Sequence, residues 1–150
     1  MKILSKESHR DEDYIIDLCD KILGLKALRQ HRFDFLRGDP KRNGKPGVRL
    51  PVDAFYDSKN LVIEYYEKQH YEDVVFFDKK EFITVSGVNR KEQRMIYDKR
   101  RQEILPKHNI NVIILSYKDF NYNNKKRIIR NAEKDIKIIY LIKTYYEYRN

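Results

Sequence analysis

The chain has 150 residues, of which 41% are hydrophobic and 37% are charged, and its formal net charge is +9. This length fits one domain with a core of its own, and the composition excludes a disordered or fibrous chain. The longest apolar runs, 112–115 and 138–142, are too short to cross a bilayer, and Cys19 is the only cysteine. We therefore expect a single cytoplasmic domain over residues 1–150, with no membrane partner and no disulfide.

The surplus of basic residues favours a polyanionic partner. Thirty-two Lys and Arg residues stand against twenty-three Asp and Glu residues, and each phosphate that a protein neutralises releases condensed counterions. Nucleic acid is therefore the first candidate partner. Charge that serves only solubility explains the composition equally well.

The first half of the chain predicts a helix, a strand, a loop and a hairpin. Apolar residues fall at helical spacing over 13–28, and polar and apolar residues alternate over 32–36. Residues 38–47 contain two prolines and three basic side chains, which is typical of a loop. Two further apolar strands, 52–56 and 61–66, are separated by a short polar turn and so predict a hairpin.

The second half predicts a helix, a buried strand and a terminal helix. Residues 71–88 fit no regular pattern beyond short strand-like pieces, whereas 89–105 form an amphipathic helix that ends near a proline. The apolar run in 111–117 does not alternate, as expected of a strand covered on both faces, and 124–148 has helical spacing. The order of elements predicts an α/β fold, in which helices flank a mixed central β-sheet.

Two carboxylates interrupt the apolar strands of the predicted hairpin. Asp53 lies between Val52 and Ala54, and Glu64 follows the apolar residues 61–63. The hairpin should bring the two acids side by side, where burial is costly unless a cation or a donor compensates it. Either acid alone is more simply explained as a turn or salt-bridged residue. Together they predict a site for a hard divalent cation of the kind that assists phosphodiester hydrolysis.

The spacing of these acids resembles that of a known superfamily. Pro51-Val52-Asp53, followed after ten residues by Glu64, resembles the active-site hairpin of PD-(D/E)XK nucleases. With Gln69 and His70 after the Glu, the hairpin is similar to small single-domain nucleases related to very-short-patch repair endonucleases. The resemblance covers about residues 30–117 and continues in a downstream helix and strand, where the matching residues are Asp98, Arg101, Leu105 and the strand 111–117.

The resemblance implies a restriction-endonuclease-like fold and a restriction or homing type of endonuclease that cuts double-stranded DNA. Asp53 and Glu64 would bind Mg²⁺, with Mn²⁺ as a substitute. Glu12 stands where the first helix of such nucleases often adds a metal-binding Glu, although the helix macrodipole favours an acid there in any case.

One position departs from the superfamily pattern. Two residues after the Glu it usually has Lys, or Asp in this branch, whereas this chain has Tyr66. Lys68 or Gln69 would then orient the attacking water, and Glu67 could add a carboxylate. His70 would act as a general acid or contact the phosphate, or form only a structural hydrogen bond. The departure also supports an alternative, a nucleic-acid-binding module with a decayed site; RNA or branched DNA is a third candidate substrate.

Basic residues near the predicted loop are candidate phosphate contacts because they precede Asp53 in the chain. The candidates are Arg37, Lys41, Arg42, Lys45 and Arg49, joined by Arg101 of the following helix. Several of the twelve tyrosines lie on the terminal helix. They would pack internally, stack on bases or form the surface of a homodimer.

Overall fold

The computed structural model describes residues 10–68 and 88–149. Within these residues the chain forms three α-helices and four β-strands. In chain order they are α1 (Asp11–Leu23), β1 (Leu28–Arg37), β2 (Arg49–Tyr56), β3 (Leu61–Tyr66), α2 (Arg90–Lys107), β4 (Asn111–Ser116) and α3 (Ala132–Arg149). The irregular segment expected at 71–88 lies almost entirely outside the described residues.

The four strands form one mixed sheet in the order β1-β2-β3-β4. The pairs β1–β2 and β2–β3 are antiparallel, and β3–β4 is parallel. A parallel neighbour requires a long connection, and the segment that contains α2 supplies it. The β2–β3 hairpin is therefore in the middle of the sheet, where both of its strands have a neighbour on each side.

Helices cover both faces of the sheet. On one face, α1 and α3 contribute Ile16 and Ile139 to a buried cluster that contains Ile63 of β3 and Leu115 of β4. On the other face, Leu105 of α2 packs with the second cluster, which includes Leu36, Val52 and Val62. The expected α/β fold with a flanked mixed sheet is confirmed. In the described parts of the chain, no helix has the length and apolar character needed to cross a membrane.

Two predicted helix boundaries are wrong for local physical reasons. The first helix ends at Leu23 rather than at residue 28, because Gly24 adopts a left-handed φ of 64° and its amide donates to the Asp20 carbonyl. The terminal helix begins at Ala132 rather than at residue 124. Before it, the Asn123 side chain accepts hydrogen bonds from the amides of Lys125 and Arg127. This local bonding stabilises a turn in competition with a helix.

A buried acid fixes the start of α1 to the segment before α3. Asp11 is only 6% exposed, and its Oδ2 accepts hydrogen bonds from the Ile128 amide at 2.9 Å and from Arg127 Nε at 3.1 Å. Its Oδ1 accepts from Arg130 Nη2 at 3.3 Å. Because Glu12 is the next residue of the helix, the same contacts determine where the Glu12 carboxylate lies.

Asp11→Asn should lower the free energy of unfolding by about 2 kcal/mol, since it leaves buried donors and the two guanidinium groups without a carboxylate. Urea denaturation at neutral pH measures the change. The matched control is Asp17→Asn, because Asp17 has a half-exposed side chain that pairs with Arg29. That variant should lose no more than about 0.5 kcal/mol. Equal losses in the two variants would contradict the role given to Asp11.

Candidate active site

Asp53 and Glu64 are each held by the backbone of the other's strand. The register pairs Ala54 with Ile63 and Tyr56 with Leu61. Next to these pairs, the side chains of Asp53 and Glu64 accept hydrogen bonds from backbone amides of the opposite strand. The Asp53 amide donates to Glu64 Oε2 at 3.3 Å, and the Tyr65 amide donates to Asp53 Oδ2 at 2.8 Å. The two carboxylates are therefore side by side, as the sequence predicts. They are close enough to hydrogen bond when one of them carries a proton.

The Glu64 carboxylate is buried without full compensation of its charge. Glu64 is 5% exposed, and its Oε1 has no hydrogen-bond partner within residues 10–68 and 88–149. The cation recorded beside it there is Arg101, whose Nε lies 3.7 Å from that oxygen. Burial and, second, the charge of Asp53 raise the pKa of Glu64 well above its ordinary value, and Arg101 opposes this only in part. A buried acid in this state binds a further positive charge or a proton favourably.

Glu12 joins the same cleft from the first turn of α1. Gln30 of β1 donates from Nε2 to Glu12 Oε2 at 3.2 Å and to Asp53 Oδ1 at 3.5 Å, and so bridges the two acids. Burial and then the charge of Asp53 raise the pKa of Glu12 to about 7, although Arg10 opposes the shift. The structure therefore brings Glu12 to the site where the resemblance predicts it.

Gln30 is a site residue that the sequence analysis missed. It has a φ of 53° within β1, in register with Asp53, because its neighbours Arg29 and His31 pair with Ala54 and Val52. A left-handed conformation costs a residue with a side chain about 1 kcal/mol. Such strain often occurs at functional sites. No sequence signal identifies Gln30, since a polar residue between two predicted elements is ordinary.

Arg101 brings a positive charge to the cleft next to Glu64. Its Nε donates to the Pro51 carbonyl at 3.0 Å, and its Nη1 donates to Asp98 Oδ1 at 3.1 Å. These contacts hold the guanidinium beside Glu64, while Leu105 one turn later anchors α2 in the core. We call this cleft, which has a volume of about 340 Å³, the acid cleft. Its charged lining residues are Arg10, Glu12, Asp53, Glu64, Glu67, Arg94, Asp98 and Arg101.

Lys68, one of the two predicted water-orienting residues, is not among the described residues that line this cleft. Lys68 lines a neighbouring cleft instead, whereas Glu67 lines both. The Tyr66 hydroxyl accepts a hydrogen bond from Gln102 Nε2 at 3.0 Å, and the tyrosine therefore leans toward α2. Gln69 and His70 lie outside the described residues, so their predicted roles remain predictions.

Some basic side chains of the loop before β2, and of the strand ends beside it, bond to other groups of the protein. Arg37 donates to the carbonyls of Asp34 and Gly47 at 2.9 and 3.0 Å, and Arg49 pairs with Asp34 at 3.1 Å. Lys45 is exposed on the loop. Lys41 and Arg42 line a cavity of about 480 Å³ that shares Gln93 and Tyr97 with the acid cleft. The loop therefore adjoins the acids without entering their cleft.

The two central carboxylates fit a hard divalent cation. Among the described residues, no three His, Cys, Asp or Glu side chains form a set that could hold an ion together. Mg²⁺, however, is usually bound by one or two carboxylates, with water and substrate phosphates completing the octahedron. Asp53 and Glu64 each give one oxygen to a backbone amide, and their other oxygens, Asp53 Oδ1 and Glu64 Oε1, can serve as ligands.

Comparisons with protein-family models, with curated proteins and with solved structures found no match. The function is therefore inferred from the residues of the site and from the chemistry they allow.

The raised pKa of Glu12 predicts a pH-dependent stability. Below about pH 4.5, its ordinary pKa, the acid is protonated in both states. As the pH rises to about 7, the folded state holds the proton more tightly than the unfolded state, so stability falls. In EDTA, Glu12→Gln should therefore stabilise the protein above pH 7 by about 1 kcal/mol after solvent screening, and by nothing near pH 4.

Urea denaturation across this pH range measures the difference between the variant and the wild type. Glu103→Gln is the control, because Glu103 is exposed and forms a surface ion pair with Lys99 at 3.7 Å. A gain for Glu12→Gln that is the same at every pH would refute an origin in ionisation.

Proposed function

We propose that the chain is a metal-dependent nuclease that hydrolyses the phosphodiester bonds of double-stranded DNA, with the cleft at Asp53 and Glu64 as its active site. The observation that carries the proposal is the buried Glu64 Oε1, which has no hydrogen-bond partner among the described residues and lies beside a second carboxylate. A buried acid next to the half-buried Asp53 is unfavourable unless a cation joins them. The net charge of +9 adds the attraction for a polyanionic substrate.

Asp53 and Glu64 would hold Mg²⁺ or Mn²⁺ through the oxygens that accept no backbone hydrogen bond, Asp53 Oδ1 and Glu64 Oε1. Their other oxygens are fixed by the amides of Tyr65 and Asp53, so both ligands are oriented by a rigid sheet before any ion arrives. A bound ion would act as a Lewis acid for the phosphoryl oxygens and lower the pKa of a water molecule.

Arg101 supplies a permanent positive charge to this site. Arginine is a side chain that carries its charge permanently in proteins, and the bonds of Arg101 to Pro51 and Asp98 hold it in place. It can stabilise the negative charge that develops on the phosphate oxygens. Since Tyr66 occupies the position of the usual lysine, we assign the cationic role to Arg101.

The attacking water still requires a proton acceptor. Glu12 is a candidate because its pKa of about 7 is close to neutrality and its carboxylate adjoins Asp53. Lys68 and Gln69 remain candidates for orienting the water, and His70 remains one for protonating the leaving group. The resemblance to PD-(D/E)XK nucleases supports the same reaction. A restriction or homing type of endonuclease in the cytoplasm, acting as a homodimer, is the context we propose.

Binding of the ion alone can be measured without DNA. Saturating Mg²⁺ or Mn²⁺, at about 100 times the dissociation constant, should stabilise the wild type by about 2.7 kcal/mol and raise its melting temperature by roughly 5–10 °C. Asp53→Asn should remove most of that rise, which differential scanning calorimetry detects. The control is Asp34→Asn, since Asp34 is 85% exposed. If Asp53→Asn keeps the full rise, the proposed ligands are wrong.

Cleavage tests the reaction itself. Wild-type protein with Mg²⁺ should nick or linearise supercoiled plasmid, and EDTA should stop it. Asp53→Asn and Glu64→Gln should each reduce the rate by at least about 100-fold, whereas Asp34→Asn should cut at the wild-type rate. Activity that survives both site substitutions would come from elsewhere on the protein or from a contaminant.

A non-catalytic nucleic-acid-binding module is the second candidate, and Tyr66 is the observation that favours it. The tyrosine can neither coordinate a metal like Asp nor supply the charge of Lys, and its hydroxyl is engaged by Gln102. Such a module would bind DNA yet neither cut plasmid nor gain stability from Mg²⁺. Competition with RNA duplexes and with branched junctions would identify a different nucleic-acid substrate.

A further inference from the structure

A second cleft adjoins the acid cleft and has the opposite charge. It has a volume of about 240 Å³, and it shares Arg10, Tyr65 and Glu67 with the acid cleft. Five cations and two acids line it, namely Arg10, Lys68, Lys125, Lys126 and Arg127 with Asp11 and Glu67. We call it the basic cleft. Its cations come from three separate parts of the chain, so the sequence alone does not group them.

The positive charge of the basic cleft is not cancelled by its own acids. Asp11 is already paired with Arg127 at 3.1 Å and with Arg130 at 3.3 Å, the latter from outside the lining. Arg10 is itself paired with Glu12 and Asp13, each at 3.3 Å; the hydrogen bond to Asp13 and then the charge of Glu12 raise its pKa, and Glu67 adds to this effect. Lys125 is exposed, and Arg127 keeps 57% of its side chain exposed despite the pairing with Asp11. The positive charge that the cleft offers to an anion is therefore that of Lys125, Lys126 and Arg127.

A tight turn presents two of these lysines. Tyr122 and Ile128 form an antiparallel bridge, and within it the Asn123 amide donates to the Arg127 carbonyl at 2.9 Å. Lys126, near the tip, has a left-handed φ of 61°, and its Nζ lies 5.2 Å from the centre of the Tyr122 ring. Gly or Asn would adopt this backbone more readily. The chain thus accepts a local cost at a residue that lines the cleft and carries a positive charge.

The acid cleft alone is a poor site for a phosphate. Glu12, Asp53 and Glu64 repel a polyanion, and of the loop residues expected to offset them, Arg37 and Arg49 are bonded within the protein. DNA binding requires cations that neutralise backbone phosphates. The basic cleft supplies them next to the acids.

We propose that the basic cleft binds a backbone phosphate of DNA that neighbours the phosphate to be cut. The substrate strand passes from the acid cleft over Tyr65 to the turn that carries Lys125 and Lys126. That this phosphate neighbours a scissile one rests on the proposed nuclease function; that the cleft binds the DNA backbone is tested separately, by binding.

The test compares two double variants of equal charge. Lys125→Gln/Lys126→Gln removes two cations from the basic cleft. The control, Lys21→Gln/Lys26→Gln, removes two exposed cations, one in the last turn of α1 and one just after the helix; Lys21 lies about 15 Å along the helix axis from Asp11. Affinity for a short fluorescent DNA duplex is measured in EDTA, which prevents cutting, over a series of salt concentrations.

The basic-cleft variant should bind about tenfold more weakly, and the slope of log affinity against log salt should fall by up to about 2. The control should keep the wild-type slope. A single variant, Lys126→Gly, removes the charge while suiting the left-handed backbone, so it should melt no lower than the wild type and still bind more weakly. Wild-type slopes in both variants of the turn, or equal losses in the control, would overturn the proposal.

Cleavage of plasmid by the same proteins separates this proposal from the nuclease function. If the wild type cuts, and Lys125→Gln/Lys126→Gln binds and cuts like it, the basic cleft is not a phosphate site and the nuclease function stands. If the wild type binds but never cuts with Mg²⁺, and the variant binds more weakly, the nuclease function fails and the phosphate site stands.

Discussion

The candidate site depends on the burial of Glu64 next to Asp53. Each carboxylate accepts a hydrogen bond from a backbone amide of the central hairpin, so neither can turn away to solvent without breaking the pattern that positions both. Because the two carboxylates repel each other and one of them is buried, the folded chain is less stable than it would be with a neutral pair at these positions. Residues that lower the stability of a fold in this way often serve its function.

The surrounding helices determine how far the negative charge of these two carboxylates is neutralised. From one face of the sheet, α2 brings Arg101 to within 3.7 Å of Glu64. From the other side, the first turn of α1 brings Glu12, which adds negative charge rather than removing it. The cleft thus concentrates three interacting acids against two close guanidinium groups, those of Arg10 and Arg101. This imbalance is what the proposed divalent cation would correct.

The sequence predicts the parts of this arrangement that depend on short-range patterns. Apolar periodicity locates the strands of Asp53 and Glu64, and their spacing is enough to place the two acids side by side. The sequence does not reveal Gln30, because the register between β1 and β2 and the left-handed backbone at Gln30 are tertiary features. For the same reason the sequence does not reveal the basic cleft. Lys125 and Lys126 fall in an apparent helix until the hydrogen bonds of Asn123 are known.

The Asp11 contacts have a mechanical consequence for these two clefts. Asp11 ties the first turn of α1, which carries Glu12, directly to Arg127 and Ile128 at the end of the lysine-bearing turn. Asp11 is therefore a direct connection between the turn that lines one cleft and the helix end that holds an acid of the other. If ligands occupy both clefts, any coupling free energy between them must be reciprocal.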